Sequence, residues 1–331
     1  MNKTAAISTG PSTHLDHLAP LCALLDIPLV VTELDHIAIG ERFYPMVDIQ
    51  YVPLEELTLE TIATNFDTII ETGKFWAMEL KPLINMLFGK EILFIFSPHG
   101  NSDKEDILGK EVEQDIDLVY GPQMHKLKPG RRVIEIGNVR HWFYQKYKSH
   151  FDEFADEAIS IDPEKKTVLY APTWTTTATT SSFFSHAEEV IGELKKEVNL
   201  IIKLHPLLEE NDPAAFHRII GKYEKEVTFL LDFPAIYPLL EKVDIYLGDT
   251  SSIGYDFLYY NRPMFFLGKN GSLTKCGEPF RGETSLQNSQ EELSHIRKKA
   301  YEEAFGPVIS GSDLREKIEA LLEKAGPKKI T

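Results

Sequence analysis

Short apolar runs separated by stretches of helical length recur along this chain, and they restrict its fold more than any other feature. In the first half they cover residues 4–8, 28–32, 49–52, 67–71, 91–96, 118–120 and 132–136. Several are apolar throughout rather than alternating, the pattern of parallel strands covered on both faces. Helix-like stretches lie between them at 14–25 and 76–88. The pattern pauses across the aromatic and charged segment 141–158. It restarts at 167–171, 200–204, 227–231, 244–247 and 264–267, with helices expected at 185–197, 213–223 and 236–240. Strands alternating with helices predict open, mostly parallel α/β sheets. Two closing helices are expected at 289–305 and 313–325, the second stopping before Gly326-Pro327.

A length of 331 residues, at ~100–200 residues per domain, predicts two such domains. The pause in the pattern sets their boundary near 140–165. The Thr/Ser-rich stretch 175–182 reads as a mobile loop. Charge then narrows the function. There are 51 acidic against 35 basic side chains, a formal net charge of -16. Such a surface repels phosphate backbones, so a nucleic-acid partner is not expected, although net charge says nothing about one pocket. Cys22 and Cys276 are the two cysteines and lie far apart in sequence, which excludes a disulfide framework and fits a cytoplasmic setting. No run approaches the ~18 apolar residues of a spanning helix. The apolar stretch near the N-terminus is too short for a signal peptide, so a soluble, unexported protein is expected.

In open parallel sheets ligands bind at the carboxyl ends of strands, so the polar residues just after each strand carry the functional reading. Ser97-Pro98-His99-Gly100 follows the run 91–96, with Lys104 a turn later. An imidazole there, with an ordinary pKa of ~6.5, suits a general base acting on a hydroxyl; a histidine that only caps the turn is the plain alternative. Lys203-Leu204-His205-Pro206 ends another run. Strand alternation puts Lys203 and His205 on one face, where a cation and a hydrogen-bond donor suit a phosphate. A structural histidine at a tight strand exit explains His205 equally well. Asp249-Thr250-Ser251-Ser252 precedes a predicted helix at 253–260. Consecutive hydroxyls at a helix N-terminus form an anion site. N-capping needs only one of them. Asp256, a turn later, is placed to contact a ribose or hydroxyl or to orient the loop. Thr173 and Trp174 follow the first strand of the second half, as a phosphate donor and a pocket wall. His14-x-x-His17 follows the first strand; two histidines with one nearby carboxylate make a poor metal site, so no metal is expected and an acceptor-side role stays open.

The order of these motifs resembles that of the CDP-glycerol glycerophosphotransferase family, the teichoic acid primases and polymerases. Pro98-His99-Gly100 with Lys104 is similar to its W-H-G-T-x-x-K, and Gly137-Asn138-Val139-Arg140 to its G-x-P-R. Leu169-Tyr170-Ala171-Pro172-Thr173-Trp174 is similar to L-Y-A-P-T-W, and Lys203-Leu204-His205-Pro206 to K-x-H-P. The stretch 244–256 resembles D-x-x-I-T-D-Y-S-S-x-x-x-D, and 261–266 resembles N-K-P-I-I-F. Pro98, Asn101, Val139 and Thr250 depart from the family residues. The resemblance implies a GT-B fold of two facing Rossmann-like domains: an acceptor-side domain over 1–150, a nucleotide-donor domain over 151–310, and a last helix, 311–331, crossing back to the first. It implies transfer of a polyol phosphate from a CDP-linked donor such as CDP-glycerol to an acceptor hydroxyl, with CMP released and no further cofactor. The acceptor would be a polyol or glycan, conceivably lipid-linked, with peripheral membrane contact left open. His99 and His205 would be catalytic. Thr173, Lys203, His205, Thr250, Ser251, Ser252 and Asp256 would hold the nucleotide and its phosphates; His14, His17 and Lys104 would lie on the acceptor side. A nucleotide-sugar glycosyltransferase, a related epimerase and a silent nucleotide-binding protein share the same frame.

Overall fold

The computed structural model describes residues 3–73, 75–101, 114–175, 181–231, 233–268 and 271–323. Two compact units divide the chain at Lys146 and Tyr147, and residues from Ala304 onward rejoin the first. The first unit holds strands β1 (Thr4–Ser8), β2 (Leu29–Val31), β3 (Ile49–Tyr51), β4 (Thr68–Glu71), β5 (Leu93–Phe96), β6 (Ile116–Val119) and β7 (Val133–Glu135). They form one sheet in the order β3-β2-β1-β4-β5-β6-β7, parallel at every pairing. The second unit holds β8 (Thr167–Ala171), β9 (Asn199–Lys203), β10 (Thr228–Leu230), β11 (Ile245–Gly248), β12 (Met264–Phe266) and β13 (Glu278–Pro279). Its order is β10-β9-β8-β11-β12-β13, again all parallel. β1, β4 and β8 are buried along their whole length, which is why their sequences read as continuous apolar runs.

Each sheet is covered by helices whose ends are chemically marked. Asp26 takes the left-handed conformation (φ 52°) and ends the helix Leu15–Leu25, turning the chain into β2. Asp212 accepts from Ala215 N at 3.0 Å and precedes Pro213, so a cap and a proline at the first helical position start the helix Pro213–Tyr223. The aromatic segment after Arg140 is helical, at Val139–Lys146 and Lys148–Ala158. Residues 289–293, expected to open a long helix, instead contain a single 3-10 turn before the helix Ser294–Ala304. Several helices had no sequence expectation, among them Leu34–Phe43 between β2 and β3, Leu59–Asn65 between β3 and β4, and Pro122–Lys126 between β6 and β7.

The returning segment explains part of a motif. Gly306 N bonds Tyr120 O at 3.0 Å, and Ile309 N bonds Ile136 O at 3.2 Å. Gly137 has φ 74°, and a Cβ there would lie 2.4 Å from the carbonyl oxygen of Pro307. Only glycine meets both demands. The helix Gly311–Glu323 then packs on the helix Leu15–Leu25, with Arg315 bonded to the Leu25 carbonyl.

Candidate functional site

In each unit the strand order reverses beside the first strand, between β1 and β4 in one and between β8 and β11 in the other. Such switch points open a crevice at the carboxyl ends of the strands. Most of the sequence-predicted residues gather there.

In the first unit, His14 follows β1 and Thr72 follows β4. Thr72 Oγ1 lies 2.8 Å from His14 Nδ1, a hydrogen bond across the switch point. His99, beyond β5, sets its ring against His14, with centroids 4.9 Å apart and planes tilted 33°. His99 keeps solvent exposure, while desolvation by the protein around it lowers its pKa, opposed by a hydrogen bond to the Thr72 backbone. Burial, then His99, then His36, push His14 down to about 3. His17 is buried, and Nδ1 lies 2.6 Å from Tyr120 Oη. Because Tyr120 Oη donates to Pro98 O at 2.9 Å, its single proton is used and His17 Nδ1 is the donor. Burial first, and then Arg140, hold His17 well below the ordinary imidazole value.

His36, in the first turn of the helix after β2, was missed in the sequence because no helix was expected there. It follows a strand as the other candidate histidines do, and that placement was the available signal. Its ring is buried, and Nδ1 has no hydrogen-bond partner. Lys104 lies outside the described residues. Among the described residues no group of three or more His, Cys, Asp or Glu side chains is arranged to hold a metal ion.

Arg140, the last residue of the Gly137-Asn138-Val139-Arg140 motif, reaches back to the helix carrying His14 and His17. It donates to Asp16 Oδ2 from Nε at 2.9 Å and from Nη2 at 2.5 Å. Tyr44 Oη bonds the other carboxylate oxygen at 3.1 Å. This motif is therefore structural: Gly137 admits the returning chain and Arg140 anchors the first helix.

In the second unit, Asp249 ends the β11 exit and its Oδ2 accepts two backbone N–H groups, Thr173 at 2.9 Å and Ser182 at 3.1 Å. One carboxylate thus ties the exit of β8 to that of β11 across the switch point. Burial raises the Asp249 pKa, against the pull of these N–H groups. Trp174 stacks on His205, with centroids 5.6 Å apart and planes 16° from parallel. His205 Nδ1 accepts from Leu207 N at 3.2 Å, which fixes the hydrogen on Nε2 in the neutral ring. Ser251 is the N-cap of the helix Ser252–Phe257 but its side chain does not cap it; Ser251 Oγ lies 3.1 Å from Tyr246 Oη. Thr250 packs under Gly271, whose φ is 101° and where a Cβ would lie 2.6 Å from the threonine methyl.

Two second-unit residues differ from expectation. β9 ends at Lys203, so strand alternation does not extend to His205 and does not put the two on one face. Lys203 is buried, with Nζ 3.4 Å from the carbonyls of Leu204 and Leu231. Asp256 is 1% exposed and accepts from Tyr237 Oη at 2.8 Å. Its carboxylate is enclosed within the unit and ties the helix Ser252–Phe257 to the helix Ile236–Glu241 rather than lining a surface. Thr173 and Asp249 are buried at the crevice floor, whereas Trp174, His205, Thr250, Ser251 and Ser252 are partly exposed. The chemistry on offer is an aromatic wall, an imidazole N–H and three hydroxyls around one strand crevice, a neutral donor set suited to phosphate oxygens.

Comparison with known proteins agrees with this arrangement. The family model for CDP-glycerol:poly(glycerophosphate) glycerophosphotransferase matches residues 123–270, so the resemblance read from the motifs is borne out there; the His99 motif lies outside that span. The chain is 34% identical over 103 residues to a teichoic acid glycerol-phosphate primase from Bacillus subtilis, covering 31% of this chain and 25% of the relative. It is 30% identical over 148 residues to a teichoic acid poly(glycerol phosphate) polymerase from Bacillus spizizenii, covering 41% and 35%. These matches thus span about a third or less of the relatives' lengths. Among solved structures, the wall teichoic acid polymerase TagF matches with a TM-score of 0.66 at 14% identity, over 98% of this chain and 90% of that one. A UDP-GlcNAc 2-epimerase from Neisseria meningitidis, bound to UDP-GlcNAc, matches with a TM-score of 0.53 at 13% identity, over 98% and 100%. These likenesses identify the α/β fold as GT-B.

Proposed function

We propose that this chain transfers glycerol phosphate, or a similar polyol phosphate, from a CDP-activated donor to an acceptor hydroxyl and releases CMP. The observation that carries this reading is the β8/β11 crevice. There Trp174, His205 and the Asp249–Ser252 exit converge within the stretch that the glycerophosphotransferase family model matches.

In this mechanism the second unit receives the donor diphosphate. His205 Nε2–H and the hydroxyls of Thr250, Ser251 and Ser252 donate to its oxygens, and Asp249 holds the Thr173 backbone in register beneath them. His99 in the first unit takes the proton of the acceptor hydroxyl. The acceptor oxygen attacks the distal phosphorus in line, the bond from that phosphorus to the bridging oxygen breaks, and CMP leaves with the bond's electron pair. Negative charge gathers on the phosphoryl oxygens during this step, so donors already in place lower the barrier. A lowered pKa keeps His99 in the neutral form that a base requires. Lys203 contributes positive charge from beneath the surface rather than a direct contact.

A lipid-linked acceptor would bring the protein to a bilayer. No described helix is long and apolar enough to cross a membrane. The helix Phe75–Phe88, however, leaves Met78, Leu83, Met86, Leu87 and Phe88 exposed, an apolar surface that supports peripheral contact.

The deciding experiment follows CMP release from CDP-glycerol. His99→Ala and His205→Ala should each nearly abolish it while the protein stays folded; near-normal release by both variants removes the assignment. The likeness to a nucleotide-sugar epimerase favours one competing reading, a UDP-sugar enzyme. Thermal-shift measurements with CDP-glycerol and UDP-GlcNAc separate the two, because only a bound ligand raises the unfolding temperature.

A further inference from the structure

His14 and His17 lie one helical turn apart and touch the His99 loop by two different routes. His14 covers one face of the His99 ring at 4.9 Å and is itself tied to the end of β4 through Thr72 Oγ1 at 2.8 Å. Gly10 makes room for this pairing: a Cβ at that position would lie 2.3 Å from His14 Nδ1, the atom paired with Thr72. His17 works through a relay. Its Nδ1–H donates to Tyr120 Oη at 2.6 Å, and Tyr120 donates to the carbonyl of Pro98, the residue before His99, at 2.9 Å. The helix Leu15–Leu25, which carries His17 and starts directly after His14, is in turn pinned by the buried Asp16–Arg140 pair.

We propose that His14 and His17 are positioning residues for His99, the first bracing its ring through Thr72 and the second holding its loop through Tyr120. The inference rests on the reading of His99 as the acceptor-side base. It gives the H-x-x-H pair a role beside that base that needs no metal; among the described residues no third ligand is arranged with it. Two imidazoles beside a base would compete for its proton if they titrated near neutrality. Burial removes that competition, leaving both as neutral hydrogen-bonding groups. Neither takes the acceptor's proton; they decide where the lone pair that takes it points. A base held about 1 Å out of line loses roughly 10²-fold in rate, which sets the scale of the expected effect.

The test uses Thr72→Val, which removes the hydroxyl but keeps the shape, and Tyr120→Phe, which cuts the relay to Pro98. Neither substitution removes a direct bond to His99: the Thr72 backbone that bonds the His99 ring is kept, and the altered hydroxyls act on His14 and on Pro98. In the CMP-release assay with CDP-glycerol, each should lower kcat by roughly 10- to 100-fold with the KM for CDP-glycerol unchanged, and Thr72→Ser should restore kcat to near the parent value. Unchanged kcat in both Thr72→Val and Tyr120→Phe overturns the proposal, as does a loss expressed only in KM. The 15N signals of the His99 imidazole are recorded in the same proteins. If the parent protein releases no CMP from CDP-glycerol, the functional reading fails. The positioning claim is then judged by those signals: a changed tautomer or titration of His99 in Thr72→Val sustains it, and identical spectra refute it.

Discussion

The carboxylate of Asp249 accepts the backbone N–H of Thr173 at 2.9 Å, joining the ends of two neighbouring parallel strands with one charged hydrogen bond. The same oxygen accepts Ser182 N, so a single side chain organises three segments of the β8/β11 crevice. Asp249→Ala leaves both buried N–H groups without this acceptor, at about 1–3 kcal/mol each. Chemical denaturation should show a loss of roughly 2–6 kcal/mol. Asp249→Asn keeps an acceptor oxygen in place and should lose far less.

His205 and Trp174 separate donor chemistry from donor binding. Loss of one oxyanion-type donor typically costs ~10²–10³ in turnover, so His205→Ala should show that fall in CMP release with the fold intact. Trp174→Ala removes the ring stacked on His205 and should weaken the binding of CDP-glycerol measured calorimetrically.

The pH profile of CMP release should report the lowered pKa of His99. A base with an ordinary imidazole value loses half its active form near pH 6.5. With the value lowered, the decline in release should be centred below pH 6.5. A decline centred at or above pH 6.5 would contradict the environment described for this ring.

Glu71, buried at the end of β4, accepts from Gln114 Nε2 at 3.0 Å and Ala77 N at 3.3 Å. Burial, outweighing these two bonds, raises it from 4.5 to about 7. Between those values the folded state binds more protons than the unfolded state. This group's contribution is therefore full below about pH 4.5 and is lost as pH rises through 7. Glu71→Gln keeps the acceptor and removes the buried charge. At pH 8 it should stabilise the protein by on the order of 1–3 kcal/mol, with the advantage vanishing near pH 4.5.

Arg140→Met leaves Asp16 buried without its cation. Unpaired buried charges cost about 3–5 kcal/mol, and the unfolding temperature should drop accordingly. Adding Asp16→Asn should recover part of the loss. Vesicle co-sedimentation tests the exposed face of the helix Phe75–Phe88: Met86→Glu with Leu87→Glu should reduce binding if that face meets lipid, and leave catalysis in solution unchanged.

Much of this architecture was legible in the linear chain. β1, β4, β8 and β11 stand out because a strand buried on both faces leaves a continuous apolar run, and the residues following such runs marked His99, Thr173, His205 and the Asp249–Ser252 loop. Helices that bury little apolar surface were not legible; Leu34–Phe43, whose buried residues are His36, Gly40 and Phe43, is one, and His36 went unnoticed with it. Lys203 and Asp256 were misjudged because residue type predicts chemistry but not depth. One sits at the last position of its strand and the other under Tyr237, and both are buried.

Sequence alone determined which residues occupy strand ends, since burial and strand period are local properties written in residue order. Tertiary structure decided which of those residues meet. Thr72 reaches His14 over 58 positions, Asp249 reaches Thr173 over 76, and Arg140 reaches Asp16 over 124. Such pairings depend on strand order within the sheet, and strand order arises from packing among elements distant in the chain rather than from any one of them.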